Sequence, residues 1–540
     1  MSDAVAHLQH PQLGIVSGRR TNGTVQFLGL KYGVLRHRFA VPEINLASQE
    51  QDIDATRYGP PVIYPPESCD MEMSFIQQSL NKSNVPPPSD LEGLSMNITV
   101  PLLHGEVPPT DSKLPVLVYI HGGGFTFGSS SYPHYDQARI VQMALQSGRP
   151  LIAININYRL GIPGFLTSEE LRQLGDFGTN NGLRDQQTAF KWIQKYIAGF
   201  GGNPDAITAI GQSAGAASLT YHLHSHEPLF AQCILLGGSF LMMRASDFQV
   251  ADKVYAGVIQ DLGLEQLPAL ERIKLLLEMD PSDFLRHVTP TMLLGPVVDH
   301  EIIPEVASFS NIGDVDRLPL PGRNWCSRLM SVDSAFDGSI MALVNLNARE
   351  KGIRTAFQES VRSHPKLQHT AICEGILDFY HIKDSTSDHD AILWIISFVT
   401  DIMFYAPSIA LAQTWGKSYL CHFNEGNPWP GLYHERANHM LDIAFLWQNF
   451  NHTLAEPQKA VARVFADHII GFTTDQEAVP SFIPGRKVTV YGPSSQGFSS
   501  RIGQVDDEDI TARRTAIFNL AEAAGGMDVL LDVVSRFLMG

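Results

Sequence analysis

The sequence predicts an α/β fold built on a large, mostly parallel sheet. Short apolar runs of the kind that a sheet buries on both faces recur at 114–120, 150–157 and 206–210, and helical patterns separate them. Such alternation is typical of parallel strands joined by crossover helices. The 540 residues contain no fixed-period repeat and no clear linker, so one domain spanning 1–540 is expected.

Composition excludes several classes of protein. The chain carries 39 Lys and Arg against 56 Asp and Glu, a net charge of −17, which repels phosphate backbones and anionic lipid surfaces. Nucleic acid is therefore not an expected partner. The most apolar run, 391–399, is much shorter than the roughly 20 residues that span a bilayer. It predicts a buried helix and no membrane span.

The N-terminal part predicts an edge of the sheet followed by a long loop. Two β-type runs interrupted by glycines, at 14–18 and 24–30, predict a small antiparallel sheet. Residues 60–90 contain three proline clusters and few apolar periods, which predicts a long surface loop that serves a site.

The helices are predicted from apolar spacing and from their end signals. Residues 185–197 place Phe190, Ile193 and Ile197 on one face, and a glycine follows closely as a stop signal, as in a crossover helix. From about 245 to 415 the pattern is mostly helical, and the last hundred residues alternate weakly between strand and helix.

A Gly-x-Ser-x-Gly pattern from Gly211 to Gly215 stands between a strand and a helix. It follows the run 206–210 directly and precedes a helix-compatible stretch. A turn this tight predicts a strained backbone at Ser213 and lifts the hydroxyl clear of the sheet at a helix N-terminus. Ser213 is therefore the candidate nucleophile; an ordinary glycine and serine turn is the alternative.

A second glycine motif, His121 followed by three glycines, comes directly after the run 114–120. Acyl transfer needs N–H donors aimed at the oxygen that becomes negative, and glycines leave their amides bare. Gly123, Gly124 and the amide of Ala214 are the predicted oxyanion hole. The motifs of phosphate-binding loops do not occur here.

Together these motifs resemble the type-B carboxylesterase/lipase family, which includes cholinesterases and several fungal lipases. The resemblance implies the α/β-hydrolase fold and serine carboxylesterase activity. The matching segments fall in family order over about 200 residues: 27–32, 94–98, 121–125, 157–161, 181–187, 200–204 and 211–215.

The resemblance also implies the two remaining members of a catalytic triad. Asp337 stands at the family's acid position, 124 residues beyond Ser213, with Asp in place of the more common Glu; Asp333, which aligns with a structural Asp, is the rival. His439 has the family's register, with Asp442 three residues later, and His434 lacks it.

No metal or other cofactor is expected. Triad chemistry needs none. The run His222, His224 and His226 would suit a metal on a strand, but its side chains diverge on the helix that is expected after the Gly-x-Ser-x-Gly turn.

Four positions differ from the family pattern or add to it. Gln212 replaces a common Glu before the serine, and His300 replaces a common Gly. By the family's pattern Ser239 hydrogen-bonds the acid and the histidine, with a structural serine as the equal alternative. Gly93 replaces the cysteine that secreted relatives pair with one near position 69. With no secretory signal at the start, a cytoplasmic enzyme of fungal, intracellular type is expected.

The predicted substrate is a small hydrophobic ester or lactone, with Phe125 and Phe127 lining the cleft. The resemblance to fungal lipases and the intracellular signs favour a tailoring enzyme of secondary metabolism. A catalytically silent, cholinesterase-like binding protein is the first alternative. The second is an enzyme that uses the same triad for acyl transfer or lactone rearrangement.

Overall fold

The computed structural model describes residues 4–46, 52–175, 177–287, 294–368 and 371–539. The strands are β1 (Ala4–His10), β2 (Gly14–Thr21), β3 (Thr24–Lys31), β4 (Gly33–Val34), β5 (Glu43–Ile44), β6 (Ile53–Ala55), β7 (Ser95–Pro101), β8 (Leu114–Ile120), β9 (Ile152–Ile156), β10 (Gly202–Gln212), β11 (Gln232–Leu236), β12 (Arg328–Ser334), β13 (Ser418–Phe423), β14 (Lys487–Tyr491) and β15 (Ser500–Gln504).

The helices connect and cover these strands. They are α1 (Ser68–Ile76), α2 (Ala138–Gln146), α3 (Gly161–Phe165), α4 (Glu169–Leu174), α5 (Asn181–Tyr196), α6 (Ala214–His222), α7 (Phe248–Asp261), α8 (Ala269–Glu278), α9 (Pro281–His287), α10 (Ser339–Met341), α11 (Ile353–Arg362), α12 (Ala371–Phe379), α13 (Asp388–Thr400), α14 (Ala406–Thr414), α15 (Leu441–Leu446), α16 (Glu456–Thr473), α17 (Glu508–Ala524) and α18 (Met527–Met539).

Most strands join one sheet in the order β1-β2-β3-β7-β9-β8-β10-β11-β12-β13-β14-β15, with β6 beside β2. The strands from β9 to β14 in this order run parallel. The two ends of the sheet are antiparallel. The mostly parallel sheet predicted from the alternating pattern is confirmed.

The central strands are buried on both faces, which explains why their sequences are continuous apolar runs. In β8, Val116, Val118 and Ile120 belong to one core cluster, whereas Leu117 and Tyr119 belong to the other. Alternate side chains of a strand point to opposite faces, so the helices on each side cover half of this strand.

The N-terminal strands form the predicted antiparallel meander, and β3 pairs with β7, which makes them one edge of the main sheet. The predicted loop at 60–90 contains a helix, α1, that the proline count obscured. Its residues Cys69, Met73, Phe75 and Ile76 are buried, so this segment is more ordered than the loop that was expected.

Hydrogen bonds tie the C-terminal end of α1 to the segment that carries His439. The side chain of Asn427 donates to Ile76 O at 3.0 Å, and the side chain of Asn438 donates to Phe75 O at 3.1 Å. Helix α1 and the 427–439 segment therefore hold each other in place, although they lie far apart in the sequence.

The apolar run at 391–399 lies in one continuous helix from Asp388 to Thr414. This helix is long and apolar enough to cross a membrane, with a mean hydropathy of 1.7 in its most apolar window, and 89% of that window is buried inside the protein. The helix therefore has the burial of a core helix. This helix contains one π-helical turn, at Asp401–Tyr405, between its two α-helical parts.

All five cysteines are buried and unpaired. Burial raises the pKa of the Cys69 thiol to about 12. Cys69 thus packs as an apolar residue in α1.

Candidate active site

The predicted site residues meet at the edge of the sheet where the parallel strands end. Ser213 directly follows β10, and Asp337 lies three residues beyond the end of β12. The glycine run at 122–124 follows β8, and His439 lies on the connection after β13. In open α/β sheets this edge is the usual place for a ligand.

The turn after β10 has the strained backbone that the sequence predicts. Ser213 has φ 54° and ψ −119°, and its amide donates to Leu236 O at 2.9 Å. The flanking glycines are needed because there is no room for side chains. A Cβ atom placed on Gly211 would overlap the backbone of Gly215. Ser213 stands as the N-cap of α6, with 9% of its surface exposed.

His439 and Asp337 form a buried hydrogen-bonded pair. His439 Nδ1 lies 2.8 Å from Asp337 Oδ1, and Asp337 Oδ2 accepts a hydrogen bond from the Ser334 amide at 2.6 Å. The His439 amide donates to Ser339 Oγ at 3.0 Å, a contact that the sequence did not reveal. Burial raises the pKa of Asp337, although its hydrogen bond to His439 opposes the shift.

The other ring nitrogen of His439 faces Gln212. Gln212 Nε2 lies 3.0 Å from His439 Nε2. Among the residues that the structure describes, none forms a hydrogen bond with Ser213 Oγ. In this structure the nitrogen that would take the serine proton therefore faces Gln212 and makes no direct hydrogen bond with Ser213.

The three predicted oxyanion-hole residues are Gly123 and Gly124, in the glycine run, and Ala214, which directly follows Ser213. Gly123 and Gly124 have φ values of +99° and +59°, conformations that glycine adopts freely. Their amides and that of Ala214, the first residue of α6, have no hydrogen-bond acceptor within the described part of the chain. A Cβ added at Gly124 would meet open space, whereas one at Gly123 would overlap Phe127 O. The free amide of Ala214 lies at the N-terminus of α6, and unpaired amides in that position favour the binding of a negative oxygen.

The long apolar helix supports the pair from behind. The Gly338 amide donates to Thr400 Oγ1 at 2.9 Å, and a Cβ at Gly338 would overlap the helix backbone. Within the π-helical turn, the Phe404 ring packs edge-on against His439, with ring centroids 5.6 Å apart. This helix therefore fixes both the loop of Asp337 and the plane of the imidazole.

Asp442 is a second buried acid beside the pair. It is buried in α15 and accepts a hydrogen bond from the adjacent Ile443 amide at 2.8 Å. Burial, with the charge of Asp337 adding to it, raises the pKa of Asp442 to about 7. Its carboxyl group therefore holds a proton more readily than an ordinary aspartate does.

Asp333, the rival acid, lies in a different cluster. His422 Nδ1 lies 2.6 Å from Asp333 Oδ1, and the Arg514 guanidinium contacts the other carboxylate oxygen. Burial alone raises the pKa of Asp333, but Arg514 and His422 outweigh it and hold the pKa below its ordinary value. Its partners are therefore structural, and none of them is His439.

The other histidines and Ser239 have different surroundings from His439. His434 is exposed on the surface. Ser239 Oγ accepts a hydrogen bond from the Leu241 amide at 3.2 Å, as the structural alternative predicts, and within the described residues it bonds neither the acid nor the histidine.

The histidine run at 222–226 does not converge on one point. His222 Nε2 lies 2.7 Å from Gln186 Oε1, and His224 Nδ1 lies 2.8 Å from Pro319 O. Within the described residues, no three His, Cys, Asp or Glu side chains are grouped so that they could hold a metal ion.

The two phenylalanines beside the glycine run differ in exposure. Phe125 is fully buried against Phe165, with ring centroids 4.7 Å apart, whereas Phe127 is half-buried. Phe125 therefore supports the wall and does not form its exposed surface. A cavity of about 10 Å³ lies beside this pair, lined by Phe165, Thr167, Ser246, Val250, Ala251, Val254, Leu294, Gly295 and Val297.

Gly237 and Gly238, at the end of β11, are functional positions that the sequence reasoning missed. A Cβ at Gly237 would lie 3.0 Å from Asp337 Oδ1 and 3.3 Å from His439 Cε1, and one at Gly238 would overlap the Ser213 backbone. The sequence does show two glycines directly after an apolar strand run. Only the fold shows that they lie against Asp337, His439 and Ser213.

Comparison with known proteins identifies the family of the chain. Residues 4–478 match the model of the carboxylesterase family. The chain is 26% identical to the para-nitrobenzyl esterase of Bacillus subtilis over 455 residues, 82% of each protein. It is 34% identical to the cholinesterase of Mus musculus over 224 residues, which cover 39% of this chain and 35% of that protein. It is 32% identical to lipase 1 of Geotrichum candidum over 261 residues, 44% of each.

Solved structures show the same fold. A PNB esterase superposes with a TM-score of 0.71 at 22% identity, covering 95% of this chain and 99% of that one. A carboxylesterase of Geobacillus stearothermophilus gives a TM-score of 0.70, with 94% and 99% covered. The sheet described above is thus that of the α/β-hydrolase fold.

The family match spans most of the chain and includes the serine turn, the glycine run and the segment of the buried pair. Because that match is supported by esterase relatives and by the fold, the chain belongs to the carboxylesterase family and is a carboxylic ester hydrolase.

Proposed function

We propose that the enzyme cleaves a small hydrophobic ester or lactone through an acyl-enzyme, with Ser213 as nucleophile, His439 as base and Asp337 as the orienting acid. The observation that carries this proposal is the buried hydrogen bond of 2.8 Å between His439 Nδ1 and Asp337 Oδ1, beside a serine with a strained backbone.

The shorter Asp side chain reaches the imidazole without help from water. Because a carboxylate only accepts hydrogen bonds, Nδ1 of His439 carries the proton and Nε2 has the free lone pair. Nε2 takes the Ser213 proton as Oγ attacks the ester carbonyl, and then gives it to the leaving alcohol. Water repeats the sequence on the acyl-enzyme and releases the acid.

The amides of Gly123, Gly124 and Ala214 support the negative oxygen of the tetrahedral intermediate. They have no acceptor among the described residues, so they need not break a protein hydrogen bond when the oxyanion forms. Removing one such donor in serine hydrolases costs on the order of 10²- to 10³-fold in kcat.

The half-buried Phe127 beside the glycine run supports an apolar substrate, because its ring offers apolar surface next to the proposed oxyanion hole.

Mass spectrometry after treatment with a fluorophosphonate tests the nucleophile, and p-nitrophenyl esters of increasing acyl length test the substrate class. We expect one adduct on Ser213 and a higher kcat/KM for esters with apolar acyl groups than for esters with charged ones. We also expect Ser213→Ala to fold normally and to lower kcat by about 10⁴ or more. Labelling at another residue, or near-normal kcat in this variant, would refute the proposal.

Added alcohol in the same assay distinguishes hydrolysis from acyl transfer. Hydrolysis predicts free acid as the main product, whereas transfer predicts a new ester whose yield grows with the alcohol concentration. The ring-opened acid of a lactone substrate would extend the proposal to lactones.

A further inference from the structure

The imidazole of His439 is held at both of its nitrogens. Nδ1 pairs with Asp337, and Nε2 lies 3.0 Å from the amide nitrogen of Gln212. An amide NH₂ group is a donor, and the neutral Nε2 is an acceptor, so Gln212 donates to the lone pair that would otherwise receive the Ser213 proton.

The position of Gln212 is built into the fold. Its side chain is buried, with 1% of its surface exposed, between the imidazole and the glycine run. A Cβ at Gly122 would overlap Gln212 Oε1 and lie 3.0 Å from Ser213 Cβ. The first glycine of the run, which has no place in the proposed oxyanion hole, therefore makes room for this amide.

From this geometry we propose that Gln212 is a positioning residue that occupies the base in the resting enzyme, so that His439 must exchange Gln212 for Ser213 before catalysis. The inference rests on the proposed roles of Ser213 and His439. In the resting enzyme the serine hydroxyl and the Gln212 amide therefore compete for His439 Nε2, and this competition slows the reaction.

The exchange has a simple proton balance. When Ser213 Oγ attacks, its proton moves to His439 Nε2, and a protonated nitrogen cannot accept from Gln212. The resting hydrogen bond must therefore break before each attack. Removal of the Gln212 amide removes the donor that competes with the serine hydroxyl for this nitrogen.

Within the described part of the chain, two acidic side chains lie close to His439. Asp337 binds Nδ1 from the loop after β12, and Asp442 lies nearby in α15. Asp442 titrates near neutral pH and is present in every variant compared below. Differences between variants therefore report the change at position 212.

The test is the rate of fluorophosphonate labelling of Ser213 in the full-length protein from pH 5 to 9. In this reaction Oγ bonds to phosphorus, fluoride leaves, and the proton goes to His439. Gln212→Met keeps the length of the side chain and lacks the donor. Gln212→Asn keeps the amide but is too short to reach Nε2. We expect both variants to label about threefold to tenfold faster on the high-pH plateau, because the serine hydroxyl no longer competes with an amide donor for Nε2.

Gln232→Met is the matched control. Gln232 is a buried glutamine on neighbouring β11 whose amide donates to Thr208 Oγ1 at 2.7 Å. We expect this variant to change the melting temperature without moving the labelling profile. If Gln212→Met does not fold, the labelling rate of Gln212→Asn tests the inference on its own.

An unchanged plateau rate in a folded Gln212 variant would overturn the inference while leaving Ser213 as the nucleophile. A wild-type enzyme that does not label at Ser213 would instead refute the proposed function itself. The two failures are therefore distinguishable in one experiment.

Discussion

Two aspartates four residues apart have different partners, and these partners decide which of them acts as the acid. Asp337 binds His439, whereas Asp333 binds His422 and Arg514. We expect Asp337→Asn to lower kcat by about 10³- to 10⁴-fold with little change in melting temperature, because an amide no longer favours the imidazolium.

Asp333→Asn is the control for that substitution. It leaves the buried Arg514 without its main counter-charge, so we expect a lower melting temperature and a much smaller loss of kcat. Kinetics and thermal unfolding of both folded variants check the assignment. An active Asp337→Asn beside an inactive Asp333→Asn would reverse the roles.

Asp442 gives the stability of the protein a pH dependence. Its folded pKa of about 7 lies above the ordinary value of 3.8, so the folded state binds more protons than the unfolded state between these values. Stability is therefore lost as pH rises from about 4 to 7, by roughly 3 to 4 kcal/mol at most.

We expect Asp442→Asn to remove this loss. Its melting temperature, measured beside that of the wild type from pH 5 to 8, should rise relative to the wild type as pH increases. A constant difference across this range would show that Asp442 is not protonated in the folded protein.

At the scale of elements, local motifs were predictable and long-range contacts were not. The turn around Ser213 and the glycine run at 122–124 are each encoded within a few residues, so the sequence predicts both. The contacts of Gly237 with the buried pair depend on the pairing of β11 with β12, which no local pattern records. Helix α1 was missed because prolines on both sides of it resemble a loop.

The loop after β11 supplies a prediction at this scale. Gly237 has φ +52°, and its added Cβ would press on Asp337 and His439. We expect Gly237→Ala to lower kcat by about 10- to 100-fold, because small displacements of catalytic groups are costly. Gly263→Ala is the control, since Gly263 has φ +69° and open space around it. Equal effects of the two changes on kcat would contradict the role of the contact.

At the scale of the whole molecule, the family match ends at residue 478, but the sheet and the core continue beyond it. Strand β14 pairs with β13, and Arg514 reaches back to Asp333. The weak alternation of the last hundred residues indicated these elements without predicting that they complete the sheet beside the site.

We therefore expect a chain that ends at residue 478 to lack a stable fold, because it exposes the edge of β13 and a large apolar surface. Circular dichroism and size-exclusion chromatography of the shortened chain test this. Ile502→Thr is the control, since Ile502 is 65% exposed on β15 and its replacement should be nearly neutral. A soluble, active 1–478 chain would show that the C-terminal elements are dispensable.

The hydrogen bonds between α1 and the 427–439 segment have a consequence for inactivation by heat. Local segments unfold at a lower free energy cost than the whole protein does. Helix α1 lies on a long connection, and these hydrogen bonds join it to the segment that carries His439. Thermal opening of α1 would release the backbone that aligns His439. The enzyme would then lose activity while its central sheet is still folded. Cooling would restore activity as long as that sheet had not unfolded.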